Sequence, residues 1–240
     1  MTMEHGHSAE EISQRLSGER RANYVRDWVY GGIDGAITTF AIVAGVIGAA
    51  LSSKIIIILG LANLLADGLS MAASNYSGTK AEVDDMARLR EVERRHIALV
   101  PDGEREEVRQ ILQAKGLTGN SLDEAVAAIT SNEETWIETM LTEEYGLSPV
   151  QRSPALSGLS TFAAFIVCGA VPLMPFLLQL ENAVGIAIAA TAAVFFAIGS
   201  IKSRWSLAPW WRSGCETLFV GLLAAGTAYA VGALVERMLL

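Results

Sequence analysis

The chain has 240 residues, of which 51% are hydrophobic and only 18% charged, with a formal net charge of −8 and a mean hydropathy of +0.36. A soluble domain carries about 25% charged residues, and the deficit here is concentrated in five stretches: residues 28–50, 55–76, 155–178, 183–201 and 215–235. Each is about the length needed to cross a hydrocarbon core, which excludes a soluble globular enzyme. Their unbroken apolar character also excludes a β-barrel, whose strands alternate with period two over about 10 residues.

The expected fold is therefore all-α and polytopic. Residues 1–26 form a polar N-terminal tail, mobile over its first dozen residues, and residues 27–77 carry transmembrane helices one and two. Residues 78–152 form an acidic helical insert, and residues 153–240 carry helices three to five. The tail has no apolar core of a cleavable signal, so the first span itself directs insertion. Basic residues mark the cytoplasmic side. Arg15, Arg20, Arg21 and Arg26 precede the first span, and Lys202, Arg204 and Arg212 lie between spans four and five. The three–four connection, Gln179-Leu180-Glu181-Asn182, has no basic residue. This pattern places the N-terminus and the insert in the cytoplasm and the C-terminus outside, with Trp205, Trp210 and Trp211 as interfacial anchors.

The insert holds nine basic and sixteen acidic residues, hence seven of the eight net negative charges. That balance repels nucleic acid and attracts cations. Its first helix continues the second span through Leu99, ended by the turn signal Pro101-Asp102-Gly103. A second helix runs from Glu104 to Lys115 and stops at Gly116. The capping-box patterns Ser121…Glu124 and Ser131…Glu134 open two more, the last ending at Tyr145-Gly146. Cys168 and Cys215 both fall in spans, so they are structural rather than a disulfide framework.

Two ionisable residues stand where lipid is expected. Asp34 lies in the first span and Asp67 in the middle of the second; such groups face a cavity or a partner, since exposure to hydrocarbon is costly. Asn63, Asp67 and Met71 follow one another at four-residue intervals, on one helical face. Carboxylate, amide and thioether on one stripe suit a divalent transition-metal ion; polar glue between helices is the bland alternative. Gly31, Gly35, Gly45 and Gly48 let the first span approach another helix closely.

The insert carries a second constellation. Glu93 and His96 form an E-x-x-H pair of the kind used in di-iron carboxylate bundles, with Glu82, Met86 and Leu89 extending the same face. Glu104 and Glu107 share a face of the next helix, and Met140 and Glu144 are one turn apart on the last. Carboxylates with imidazole and thioether suit Fe(II), Mn(II) or Zn(II) better than Ca(II), although charge runs on such helices are usually solvated faces. There is no Walker A loop, no zincin helix and no G-x-S-x-G elbow, so neither ATP hydrolysis nor hydrolytic chemistry is expected. His5 and His7 read as part of a solvated tail, and Glu216 as a snorkelling or capping residue.

Three strings resemble the vacuolar iron transporter family: Asp34-Gly-Ala-Ile-Thr-Thr-Phe-Ala-Ile-Val-Ala-Gly45, Gly68-Leu-Ser-Met71, and Gly169-Ala-Val-Pro-Leu-Met-Pro-Phe176. The resemblance runs from Arg26 to the C-terminus. It implies a five-span homodimer with the ion path along the first and second spans, and proton-coupled export of Fe(II) or Mn(II) from the cytosol without an organic cofactor. It also implies that Asp34 and Met71 are pathway ligands, and that Glu93, Glu104, Glu107, Met140 and Glu144 are ligands in the insert. The chain departs from the family pattern at Asn63, where a glutamate is usual, and at Asp67, where a small residue is usual. It departs again at His96, in place of a glutamate, and at Thr39, in place of a proline.

The expectation is thus a metal-ion transporter, not an enzyme, in a bacterial inner membrane or alternatively a vacuolar-type one. Its partners are divalent transition-metal ions, protons, the bilayer and a second copy of the chain. The rivals are a membrane-anchored metal-binding or ferroxidase-like protein without transport, and a structural scaffold.

Overall fold

The computed structural model describes residues 6–17 and 22–239; His5, Arg20 and Arg21 lie outside them. Ten α-helices and one 3-10 turn make up the described residues, which contain no strand. They are α1 (Ala9–Ser17), α2 (Val25–Gly48), α3 (Ser53–Leu99), α4 (Pro101–Ala114), α5 (Gly119–Thr130), α6 (Glu133–Glu143), α7 (Pro154–Ala170), α8 (Met174–Leu177), α9 (Ala183–Lys202) and α10 (Trp210–Leu239), with the 3-10 turn at Ser203–Trp205. The tail is not uniformly irregular: Ser8 caps α1, its Oγ accepting from the Glu11 N–H at 3.3 Å.

Two compact units emerge. One is Tyr24–Ala81 with Ser153–Leu240, and the other is Glu82–Arg152 with Met1–Asn23; α3 contributes to both. In the first, four helices are long and apolar enough to cross a membrane. The fifth apolar segment is broken. Its helix α7 has 17 residues, about 26 Å at 1.5 Å per residue, and the chain then turns through Val171–Leu173 into the single turn α8. Pro172 and Pro175 supply no N–H to extend the ladder, which explains why the apolar run outlasts the helix.

The core of this unit is built on α2, with Ala36, Phe40 and Val43 packed among Ile56, Leu64, Phe165, Leu173 and Phe195. Glycines set its closest contacts. A Cβ on Gly35 would run into the Phe165 carbonyl, and one on Gly232 into the Gly45 carbonyl. The small residues of the first span therefore let α7 and α10 approach its backbone, as small-residue interfaces do in bilayers.

In the other unit, two apolar clusters hold α4, α5 and α6 against the last part of α3: Val108, Leu122, Val126, Trp136 and Met140, and Leu89, Ile137 and Leu141. Pro101 opens α4 at its first turn rather than ending a turn, because proline's missing N–H costs nothing there. The cap of α6 is Asn132, whose Oδ1 accepts from the Thr135 N–H at 2.9 Å, not Ser131. Ser121 lies inside α5, which starts at Gly119 without a side-chain cap bond. Helix α6 ends at Glu143, and the chain leaves it through Gly146 at φ +66, a left-handed conformation that suits glycine.

Candidate metal centres

The acids of the insert sort into two sets. Many are neutralised at the surface: Asp85 by Arg88, Glu91 and Glu133 by Arg94, Glu134 by Arg90, Asp102 by Arg105, Asp123 by Arg109 and Glu143 by Lys115. Such exposed pairs contribute little stability each. Glu93, Glu104, Glu107 and Glu144 are different: among the described residues none of the four pairs with Lys or Arg.

Local geometry gathers them. Glu93 and His96 stand three residues apart near the end of α3, whose last turn closes with the Val100 N–H on the His96 carbonyl at 2.8 Å. Val100 leaves helical geometry at φ −137 and ψ 55, and α4 starts at once, so its first turn returns Glu104 to the face carrying Glu93 and His96. One ligand atom from each of these three residues lies within 4.8 Å of the other two, a spacing that a single ion with bonds of about 2.1 Å nearly closes. His96 Nδ1 is 3.4 Å from Glu104 Oε1 and 3.8 Å from Glu93 Oε1.

Both carboxylates are buried, at 1% and 5% exposure, where an uncompensated charge is expensive. Tyr145 Oη donates to Glu93 Oε1 at 2.9 Å, but Glu93 Oε2 and Glu104 Oε2 have no hydrogen-bond partner. Burial first, then the charges of Glu107 and Glu93, pushes the Glu104 carboxyl up to about 7. Burial, then Glu93 and Glu107, likewise raises Glu144. The Tyr145 phenol is raised too, by burial and by its bond to Glu93, so it stays a donor. Orphaned oxygens and mutually repelling acids are the state a cation relieves.

Glu107 and Glu144 are exposed and act on the trio through their charge. Met140 is fully buried among Val108, Leu122, Val126 and Trp136. Met86 lies elsewhere, lining a small cavity with Arg90, Glu138 and Gln151, and Leu89 is core. Sequence reasoning missed Tyr145, although its place directly after Glu144 was a signal.

In the membrane-type unit, Asp34, Asn63, Asp67 and Met71 are all half-buried. Asp34 lies within electrostatic reach of Asp67. Asn63 Nδ2 donates to Thr38 Oγ1 at 3.2 Å, and the Thr38 hydroxyl donates to the Asp34 carbonyl at 2.9 Å; the Asn63 carbonyl oxygen keeps its acceptor capacity for a cation. Thr38 was missed, and so were Asp27 and Asn75, which continue the same two faces. Asp27 is two helical turns before Asp34, and Asn75 is one turn after Met71.

A model of the VIT family matches residues 25–233. The chain belongs to the VIT family. All ten candidate ligands fall inside the VIT match, and α1 lies outside it. Among curated proteins, the chain is 32% identical over 216 residues to "Vacuolar iron transporter 1" of Arabidopsis thaliana, covering 89% of this chain and 86% of that protein. It is 33% identical over 217 residues to the protein of that name from Tulipa gesneriana, covering 89% and 88%. It is 29% identical over 245 residues to "Vacuolar iron transporter" of Toxoplasma gondii, covering 94% and 81%. With its apolar helices and its VIT membership, it is an integral membrane protein.

Proposed function

We propose that the chain is a transporter, not an enzyme, that exports Fe(II) and also Mn(II) from the cytosol in exchange for protons. The observation that carries this is the pairing of two uncompensated acidic sets. One is the intramembrane pair Asp34 and Asp67 beside Met71 and Asn63; the other is the Glu93–His96–Glu104 trio with Glu107, Met140 and Glu144. The names of the relatives give iron as the cargo. In this reading the insert is cytoplasmic and captures the ion, raising its local concentration. Asp34 and Asp67 bind it within the membrane, and their protonation from the far side favours release. The five-span topology with the C-terminus outside, the homodimer and the placement in a vacuolar-type or bacterial inner membrane belong to the same proposal.

The trio in the insert also motivates a second reading, a membrane-anchored ferroxidase-like protein. One experiment separates the two: Fe(II) uptake into proteoliposomes under an imposed pH gradient, with Fe(III) production followed in parallel. Transport predicts gradient-dependent uptake that Asp34→Asn reduces to background in a monodisperse protein, since a path-lining acid serves the ion rather than the fold. Oxygen-dependent Fe(III) formation without uptake supports the second reading and sinks the first.

A further inference from the structure

The best-satisfied polar cluster in the membrane-type unit is not at Asp34 but two turns earlier in α2. Asp27 is 2% exposed. Its Oδ1 accepts from Asn75 Nδ2 of α3 at 2.9 Å, and its Oδ2 is 3.4 Å from the Ser157 hydroxyl of α7. The same Asn75 amide donates to Thr161 Oγ1 at 2.7 Å and reaches the Ser157 carbonyl at 3.3 Å. Helix α7 is held close to both neighbours here: a Cβ on Gly31 would strike the Thr161 carbonyl, and one on Gly158 would lie 2.9 Å from the Ala72 carbonyl. Three helices are pinned at one level by one carboxylate and one amide.

A second polar bond ties α2 to α3 further along, from Asn63 to Thr38. The two bonds fix the register of an antiparallel pair. From Asp27 to Thr38 is eleven residues on α2, and from Asn75 to Asn63 is twelve on α3, so both rise by about 17 Å at 1.5 Å per residue. Both acids lie between these two bonds: Asp34 is seven residues after Asp27 and Asp67 is eight residues before Asn75, rises of about 10.5 and about 12 Å at 1.5 Å per residue. The polar bonds on either side of the two candidate ion-binding acids therefore hold them at about the same level of the helix pair. A slip of one residue would turn one acid by about 100° away from the other.

Resting on the transport reading above, we infer that Asp27 and Asn75 are positioning residues: their bond sets the α2–α3 register that brings Asp34 opposite Asp67, and Asp27 acts as a hydrogen-bond acceptor rather than as an ion ligand or proton carrier. An acceptor role needs an oxygen and not a charge. Asp27→Asn should therefore keep Fe(II) uptake within about twofold of wild type, whereas Asp27→Ala and Asn75→Leu should lower it about tenfold or more by removing the bond that ties α2 to α3. The reciprocal pair Asp27→Asn/Asn75→Asp should restore it, as coupled positions do.

A readout independent of transport tests the register itself. In full-length protein with Cys168→Ala and Cys215→Ala, cysteines placed at 34 and 67 should be bridged by Cd(II), protecting both from maleimide. That protection should persist with Asp27→Asn and fall about tenfold in rate or midpoint with Asn75→Leu in monodisperse protein. Bridging that is unchanged by Asn75→Leu would overturn the inference, and so would uptake lost as completely with Asp27→Asn as with Asp27→Ala. Absent uptake in wild type with bridging that still depends on Asn75 would sink the transport reading and leave the register clamp standing.

Discussion

At the scale of the residue, the informative substitution is Asn63 with Asp67. Their spacing of one turn suggests that a carboxylate has moved down the stripe, and the Thr38–Asn63 bond gives that idea a structural consequence. A glutamate at 63 would meet the Thr38 hydroxyl, whose proton can rotate from the Asp34 carbonyl to the carboxylate, so the site can accept the charge back. Asp67→Asn is expected to reduce uptake about tenfold or more, and Asn63→Glu/Asp67→Gly to recover part of it, because contacting residues are non-additive. Michaelis parameters for Fe(II) uptake in the two single variants and the double variant check this; strictly additive losses would show that the two positions act separately. The stripe itself was legible from spacing alone, since 63, 67 and 71 repeat at four residues. Its continuation to Asn75 obeyed the same rule, but an asparagine near a span end carries no chemical flag until Asp27 is seen against it.

At the scale of the element, the insert depends on how α3 hands over to α4. The E-x-x-H pair was legible because i, i+3 is a property of one helix. The joining of Glu104 to it was not, because it depends on Val100 reversing the chain, and Pro101 served as a stop signal in the sequence and as a helix start in the structure. Met140, a ligand candidate by its thioether, packs against Val108 and Trp136, neighbours that lie far apart in the sequence. The electrostatics give a pH dependence with a defined sign. Glu104 rises from 4.5 to about 7, so the folded insert holds a proton that the unfolded chain has lost between those values. Without metal, this group's contribution to stability is therefore lost as pH rises from about 4.5 through about 7. A bound cation reverses the trend by replacing the proton. Full-length protein carrying Asp34→Asn and Asp67→Asn should bind Mn(II) more weakly as pH falls from 8 through 7 to 6, as the Glu104 carboxyl takes up its proton. Electron paramagnetic resonance of free Mn(II) measures it directly. Replacing Glu93, His96, Glu104 and Glu107 together by Gln should remove both the binding and its pH dependence; equal affinity in that variant would show that the cluster holds no metal.

At the scale of the whole molecule, the decisive element is the segment from α7 to α8. Apolar length counted five spans, and four helices meet that length without interruption; α7 stops at 17 residues because Pro172 and Pro175 withhold the N–H groups a longer helix needs. Seventeen residues sit at the lower edge of what crosses a bilayer, and α8 adds a further turn, so the five-span topology requires α7, the turn and α8 to cross together. The alternative is a segment that enters and returns to the same side. The two differ in where the following loops lie. If α7–α8 crosses, Glu181 faces away from the insert, and Ser206, flanked by Lys202, Arg204 and Arg212, faces the same side as the insert, in keeping with the basic-residue rule. If it returns, both positions exchange sides, and the basic loop violates that rule. Single cysteines at 181, 206 and Ser131, in protein lacking Cys168 and Cys215, can be labelled with a membrane-impermeant maleimide in oriented vesicles. The expected result is that 131 and 206 label together from one side and 181 only from the other. Joint labelling of 131 and 181 with 206 protected would make α7–α8 re-entrant and place the C-terminus on the side of the insert.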